Sequence, residues 1–130
     1  MKKYKAIYDE LINIDKKLWL KILADKYVTT QSVHNVLDIF LFSKDYTERA
    51  GIVAKKLKYK HCAAINWVIV SFASRILRKY PKINAPIHND KTTAYFHVVF
   101  LGETKEPFFY WTLRPELVEA MNETGYYKQT

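Results

Sequence analysis

The chain has 130 residues and 15.4 kDa, one domain's worth of sequence. Its 49% hydrophobic and 15% aromatic content excludes a disordered basic tail, which would lack the apolar surface that offsets chain entropy. Twenty-one Lys and Arg against 13 Asp and Glu leave a formal charge of +8, and the single cysteine, Cys62, excludes an internal disulfide framework.

The basic start, MKKYKAIYDELINIDKK, is followed by no apolar run, so no signal peptide is expected. The longest uncharged stretch, Cys62 to Ser74, is too short to span a membrane. A cytoplasmic, reduced protein is the expectation. Tyr4, Ile7, Tyr8, Leu11, Ile14, Leu18 and Ile22 recur at spacings of three and four, which predicts an amphipathic helix over residues 3–24. Thr30 is an N-cap candidate for a second helix, with Val33, Val36, Leu37, Phe40 and Leu41 inward and His34 on the surface. The two helices form a supporting unit over residues 1–43.

Asp45-Tyr46-Thr47-Glu48 has capping-box spacing and predicts a third helix from about residue 46. Ala50, Val53, Ala54 and Leu57 would share its buried face, and small Ala50, Gly51 and Ala54 would allow close approach of another helix. Lys58-Tyr59-Lys60-His61 is a four-residue break, and Cys62 to Tyr80 predicts a long fourth helix stopped by Pro81. On it Ile65, Ile69, Phe72 and Ile76 fall on one face, and Ala63, Trp67, Val70, Ser74 and Arg78 on the opposite one. Residues 44–80 thus have a helix-turn-helix pattern. Residues 81–92 hold Pro81, Pro86, Asn84, Asn89 and Asp90 and predict a loop. Ala94–Leu101 and Phe108–Leu113 predict two strands joined by a turn over Gly102–Pro107, a hairpin within residues 93–113. Pro115 opens a short final helix, residues 115–124, closed by Gly125. The expected fold is α+β, mainly helical, one domain over residues 1–130, with the element order of a winged-helix domain.

Sixteen of the 21 cations fall in residues 1–80 against seven acids, which leaves +9 there and −1 in the remainder. Residues 44–80 alone carry +7, an electrostatic footprint for a polyanion. A helix-turn-helix lays its second helix in the DNA major groove. On that reading Lys60, His61, Asn66, Trp67, Ser74 and Arg78 face duplex DNA, with Tyr59 in the turn, Lys55, Lys56 and Lys58 on phosphates, and Lys105 at the hairpin tip as a wing contact. The alternative is an αα corner in a helical core with a solvated lysine surface.

Tyr95, Phe96, Phe100, Phe108, Phe109, Tyr110 and Trp111 crowd the hairpin, so both its faces carry rings. One face covers the core; the other is either a platform for unpaired or flipped bases or, on the plainer reading, part of a hairpin buried on both sides or a dimer interface. Catalytic signals are poor. Asp90 with Glu103-Thr104-Lys105 has the acid…Glu-x-Lys pattern of metal-dependent nucleases, but the last two lie in an exposed turn. Cys62 beside His61 cannot use its neighbour as a base and reads as a buried small residue. No catalytic residue, metal ligand set or cofactor is assigned.

The stretch RAGIVAKKLKYKHCAAINWVIVSFASRIL (Arg49–Leu77), followed by YFHVVFLG and FFYWTLRPELVEAM, resembles the N-terminal region of some bacterial HNH-type restriction endonucleases. The Ala63-Ala64-Ile65-Asn66 and Trp111-Thr112-Leu113-Arg114-Pro115-Glu116-Leu117 steps carry the match, which covers about the last two-thirds of the chain. The resemblance implies a helix-turn-helix with a following hairpin that helps recognise DNA, by its sequence or by its base modification, in restriction or phage defence. Lys58 stands where a turn glycine is expected, and the HNH motif is absent from this sequence, so nuclease activity does not carry over. The expected partner is DNA, with a nuclease domain or partner protein as a further one. The other reading from the residues is a protein-interaction module, an inhibitor or accessory subunit whose basic face docks on an acidic partner.

Overall fold

The computed structural model describes residues 11–127 and the backbone of residues 7–8. In chain order the elements are β1 (Ile7–Tyr8), α1 (Lys16–Ala24), α2 (Gln31–Leu41), a 3-10 turn (Lys44–Tyr46), β2 (Thr47–Glu48), α3 (Ala50–Lys56), α4 (Ala63–Lys79), α5 (Phe96–Val99), β3 (Phe100–Lys105), β4 (Phe108–Leu113) and α6 (Pro115–Thr124). The architecture is α+β and mainly helical, with a C-terminal hairpin and a final helix. The sheet is antiparallel in the order β1-β3-β4-β2.

Helices α2, α4 and α6 form where local signals place them. Thr30 caps α2, its hydroxyl accepting from the Val33 amide, and Val33, Val36, Leu37, Phe40 and Leu41 are all buried. Ile65, Ile69, Phe72 and Ile76 of α4 are fully buried, each contributing about 1.5–3 kcal/mol of hydrophobic stabilisation. Tyr80, just before Pro81, ends that helix. Pro115 starts α6, and Gly125 closes it with φ 70°, a left-handed conformation that glycine adopts without a Cβ clash.

The first helix is shorter than its periodicity suggests. Residues 7–8 pair with Gly102 and Glu103 of β3, and α1 begins only at Lys16, where the Asp15 carboxylate accepts the Leu18 amide at 2.8 Å. Leu11 is 95% exposed, so the apolar stripe breaks there, and Trp19, Ile22 and Leu23 are the residues that α1 buries. The parts of the expected helix at residues 3–6 and 9–10 lie outside the described residues.

The third helix starts later than the capping-box spacing implies. Asp45 and Tyr46 have φ 55° and 58°, which no right-handed helix accommodates. Thr47 and Glu48 extend to pair with Thr112 and Trp111, and the Thr47 and Thr112 hydroxyls meet at 2.7 Å. Glu48 accepts the amide of Arg49 rather than that of Asp45. Gly51 is solvent-exposed, with the Arg49 guanidinium 3.6 Å from its Cβ position, so it does not mediate the approach of another helix. Val53 and Ala54 face inward as expected. His34 is half-buried rather than a surface residue, its Nδ1 2.6 Å from the Tyr127 hydroxyl.

Residues 96–99 form a helical turn, not a strand. The His97 and Val98 amides donate to the Ala94 and Tyr95 carbonyls, and the buried Arg114 donates through Nε to the His97 carbonyl at 2.9 Å. A strand would turn that carbonyl toward a neighbouring strand. β3 therefore starts at Phe100 and runs through the residues expected to turn, leaving only Glu106 and Pro107 between the strands.

One face of the hairpin is a ring cluster: Phe100 lies 4.6 Å from Phe40 of α2, Phe96 4.4 Å from Trp111, and Phe109 4.6 Å from Trp111. Gly102, paired with Trp111, has no side chain to obstruct these rings. A Cβ on Gly102 would meet Phe109 Cε2 at 2.8 Å and Trp111 Cζ3 at 2.9 Å. Gly102→Ala should lower stability by about 1–3 kcal/mol in urea unfolding, through displaced rings. Gly51→Ala, on the exposed side of α3, should raise it by about 0.5–1 kcal/mol.

Candidate nucleic-acid interface

Helices α2, α3 and α4 pack against one another, and the α3–α4 connection sets the geometry of the basic surface. The end of α3 is closed by two backbone bonds: the Lys58 amide donates to the Lys55 carbonyl at 3.1 Å and the Tyr59 amide to the Ala54 carbonyl at 2.9 Å. With Lys58 at φ 63°, this is a Schellman closure carrying a lysine at the position that glycine usually takes. Tyr59 follows half-buried against the core, so its ring closes α3 instead of facing outward. Lys60 and His61 are exposed, and so, against the expectation of a buried thiol, is Cys62; it sits in the last loop position before α4, ahead of the first inward residue, Ile65.

The outer face of α4 has a distinct order. Lys58, Lys60 and His61 stand before its N-terminus, and Arg78 is exposed in its last turn. Between Lys60 and Arg75 no Asp, Glu, Lys or Arg occurs. That uncharged span carries exposed Ala63 and Asn66, Trp67 at 72% exposure, and half-exposed Val70 and Ser74. Ser74 accepts a hydrogen bond from Arg78 Nη2 at 3.3 Å, which holds the guanidinium along the helix surface.

Several cations counted in the local +7 have other partners. Arg75 turns back and donates through Nε to the Val28 carbonyl at 2.9 Å. Lys79 pairs with Asp25, and this ammonium, with the amides of Tyr27 and Val28, holds the Asp25 carboxyl below its usual range. The Arg49 guanidinium lies 3.8 Å over the Phe108 ring. Lys55, Lys56, Lys58, Lys60, Arg78 and Lys44 remain solvent-exposed. Lys56 also lines a cleft of roughly 440 Å³ between α2 and α3, with Asn35, Asp38, Ile39 and Leu57; burial there raises the Asp38 carboxyl above its usual range. Lys105, at the end of β3, has Glu103 at 3.8 Å and the Tyr110 ring at 5.6 Å.

The structure thus gathers Lys58, Lys60, His61, Asn66, Trp67, Ser74 and Arg78 along one helix and the turn before it, with Lys55 and Lys56 on the preceding helix. The hairpin rings Phe96, Phe100, Phe109 and Trp111 are taken up in contacts with one another, with His97 beside Trp111 at 5.6 Å. Among the described residues no group of three or more His, Cys, Asp or Glu could hold a metal ion, and no helix is long and apolar enough to cross a membrane. Comparison of the chain with protein-family models, curated proteins and solved structures finds no match.

Lys58 separates structural from functional roles. Lys58→Gly relieves the left-handed backbone and should stabilise the fold by about 0.5–1 kcal/mol in thermal or urea unfolding. If the surface binds a polyanion, the same variant should bind it less tightly. Lys58→Ala should weaken binding equally and give no stabilisation.

Proposed function

We propose that this protein is a duplex-DNA-binding module of winged-helix type, with α4 as the helix presented to the major groove. The observation that carries the reading is the outer face of α4: an uncharged, partly apolar middle between cationic ends. A helix of 17 residues is about 25 Å long and 10–12 Å across, and a major groove about 12 Å wide admits it. Cations at both ends then meet phosphates, while the middle meets base edges. The connectivity agrees: β2 precedes α3 and α4 and pairs with the outer edge of β4, the second strand of the hairpin. That is the strand arrangement of winged-helix domains, and it makes the β3–β4 turn, with Lys105, the wing.

Restriction or phage defence is the setting that the sequence resemblance implies. A second reading, a module that docks on an acidic protein, draws on the same Trp67, because an exposed indole beside lysines also suits a protein interface. Recognition of unpaired bases by the hairpin is less favoured, since its inner rings pack on one another and Phe108 is covered by Arg49.

Anisotropy titrations of labelled 24-base-pair duplexes at several salt concentrations test the proposal. Affinity should fall steeply with salt, with a log–log slope of about −4 to −6 for five or six neutralised phosphates. Lys58→Glu with Lys60→Glu should weaken binding to every sequence and reduce that slope by about 2. Asn66→Ala should change sequence preference with little change in slope. The exposed Cys62 provides an independent readout: its reaction with a thiol reagent should slow when duplex is added. Binding that is absent or indifferent to salt overturns the proposal. A stoichiometric protein complex that survives the double charge reversal favours the second reading.

A further inference from the structure

We propose that Asn66 and Trp67, with Val70, form a reading unit for an A·T step, in which Trp67 and Val70 contact a thymine methyl group and Asn66 an adjacent adenine. This rests on the DNA reading of α4 above and adds what that helix recognises. The argument starts from what the middle of the outer face lacks. From His61 to Ser74 there is no Asp, Glu, Lys or Arg, yet Asn66 and Trp67 stand exposed there. Such a stretch brings no charged side chain to a phosphate, so its own polar and apolar groups are available to base edges. Its outward groups are an exposed amide and an exposed indole at neighbouring positions and, one turn of helix further on, a half-exposed valine.

Their chemistry selects among the base edges. An indole nitrogen donates a hydrogen bond and cannot accept one, and its ring is apolar. In the major groove thymine presents an acceptor, O4, beside its C5-methyl group. Cytosine presents a donor at N4, which faces an indole N–H unfavourably, and the guanine edge carries acceptors but no methyl group. Val70, three residues on from Trp67 and partly exposed, widens the apolar contact around the methyl position. Asn66 precedes Trp67 by one residue and stands one turn before Val70. A side-chain amide can both donate and accept, which matches N7 and N6 of adenine in a bidentate pair. Charge complementarity supports duplex DNA as the occupant: Lys58 and Lys60 at one end of the face and Arg78 at the other are exposed, and Ser74 steadies Arg78.

The experiment uses the full chain and a 24-base-pair duplex pool with a randomised centre. Bound duplexes are enriched and sequenced, and the enriched duplex is resynthesised with uracil replacing thymine at one position at a time, which removes only the methyl group. At one or two positions uracil should weaken binding about fourfold, the effect of one buried methyl-sized group. Trp67→Ala should reduce that difference between thymine and uracil, leaving only the Val70 contact, while the salt slope and the thermal midpoint stay unchanged, since the Trp67 side chain is exposed. Salt-dependent binding that treats thymine and uracil alike, that enriches no sequence, or that keeps the full discrimination in Trp67→Ala overturns this inference and leaves the DNA reading standing. Failure of every duplex to bind overturns the DNA reading and this inference with it.

Discussion

The pairing of β4 on both of its edges is the constraint on which the rest of the arrangement depends. β3 occupies one edge over six residue pairs, and the two-residue β2 occupies part of the other. To reach that edge, the chain leaving α2 must turn through two left-handed residues, Asp45 and Tyr46, and then extend. Only after Glu48 is it released to start α3. Short as it is, β2 therefore fixes the starting point and direction of α3, and the Schellman closure at Lys58 passes that direction on to α4. The sheet positions the helix surface although few of its own residues belong to that surface.

The ring cluster makes this bracing rigid. Phe40 from α2 meets Phe100 from β3, while Phe96 and Phe109 flank Trp111 on β4. These contacts join the helical layer to the inner face of the hairpin. Gly102 lies opposite Trp111 because the two rings occupy the space a side chain would need. The buried Arg114 adds a second tie: by binding the His97 carbonyl it holds α5 as a turn just before the chain enters β3. Burying such a guanidinium is unfavourable unless its N–H groups find acceptors, and a helical turn leaves a carbonyl for that purpose.

Which parts were legible in the sequence follows from the range of the forces that form them. Thr30, Pro81, Pro115 and Gly125 act on neighbours within a turn of helix, and the Ile65, Ile69, Phe72, Ile76 stripe needs only the helical period; all of these could be read. β1 and β2 could not, because two residues become a strand only when an edge elsewhere offers hydrogen bonds; for Thr47 that partner is 65 residues away. The Asp45…Glu48 spacing misled for the same reason, since a local cap competes with sheet pairing and lost to it. Residues 96–99 read as a strand from their aromatic and β-branched composition, while the decisive partner, Arg114, lies 17 residues on. In the candidate site, helical phase was enough to place Trp67 outward. The exposure of Cys62, just ahead of the phased segment, and the inward turn of Arg75 to Val28 were not accessible that way.

A formal charge and a binding surface are different quantities. Residues 44–80 carry +7 on paper, but Lys79 is paired with Asp25, Arg75 is turned to a backbone carbonyl and Arg49 is stacked on Phe108. These contacts do not remove the positive charge; they remove freedom to move toward an anion. Of the other cations, Lys44 lies in the 3-10 turn, Lys55 and Lys56 at the end of α3, Lys58 and Lys60 in the turn before α4, and Arg78, hydrogen-bonded to Ser74, in the last turn of α4. The same helix thus has two independent duties: its inner face contributes apolar burial, and its outer face carries groups that contribute little to that burial. Substitutions on the outer face of such a helix leave the core contacts in place, so their effects on binding can be separated from effects on folding.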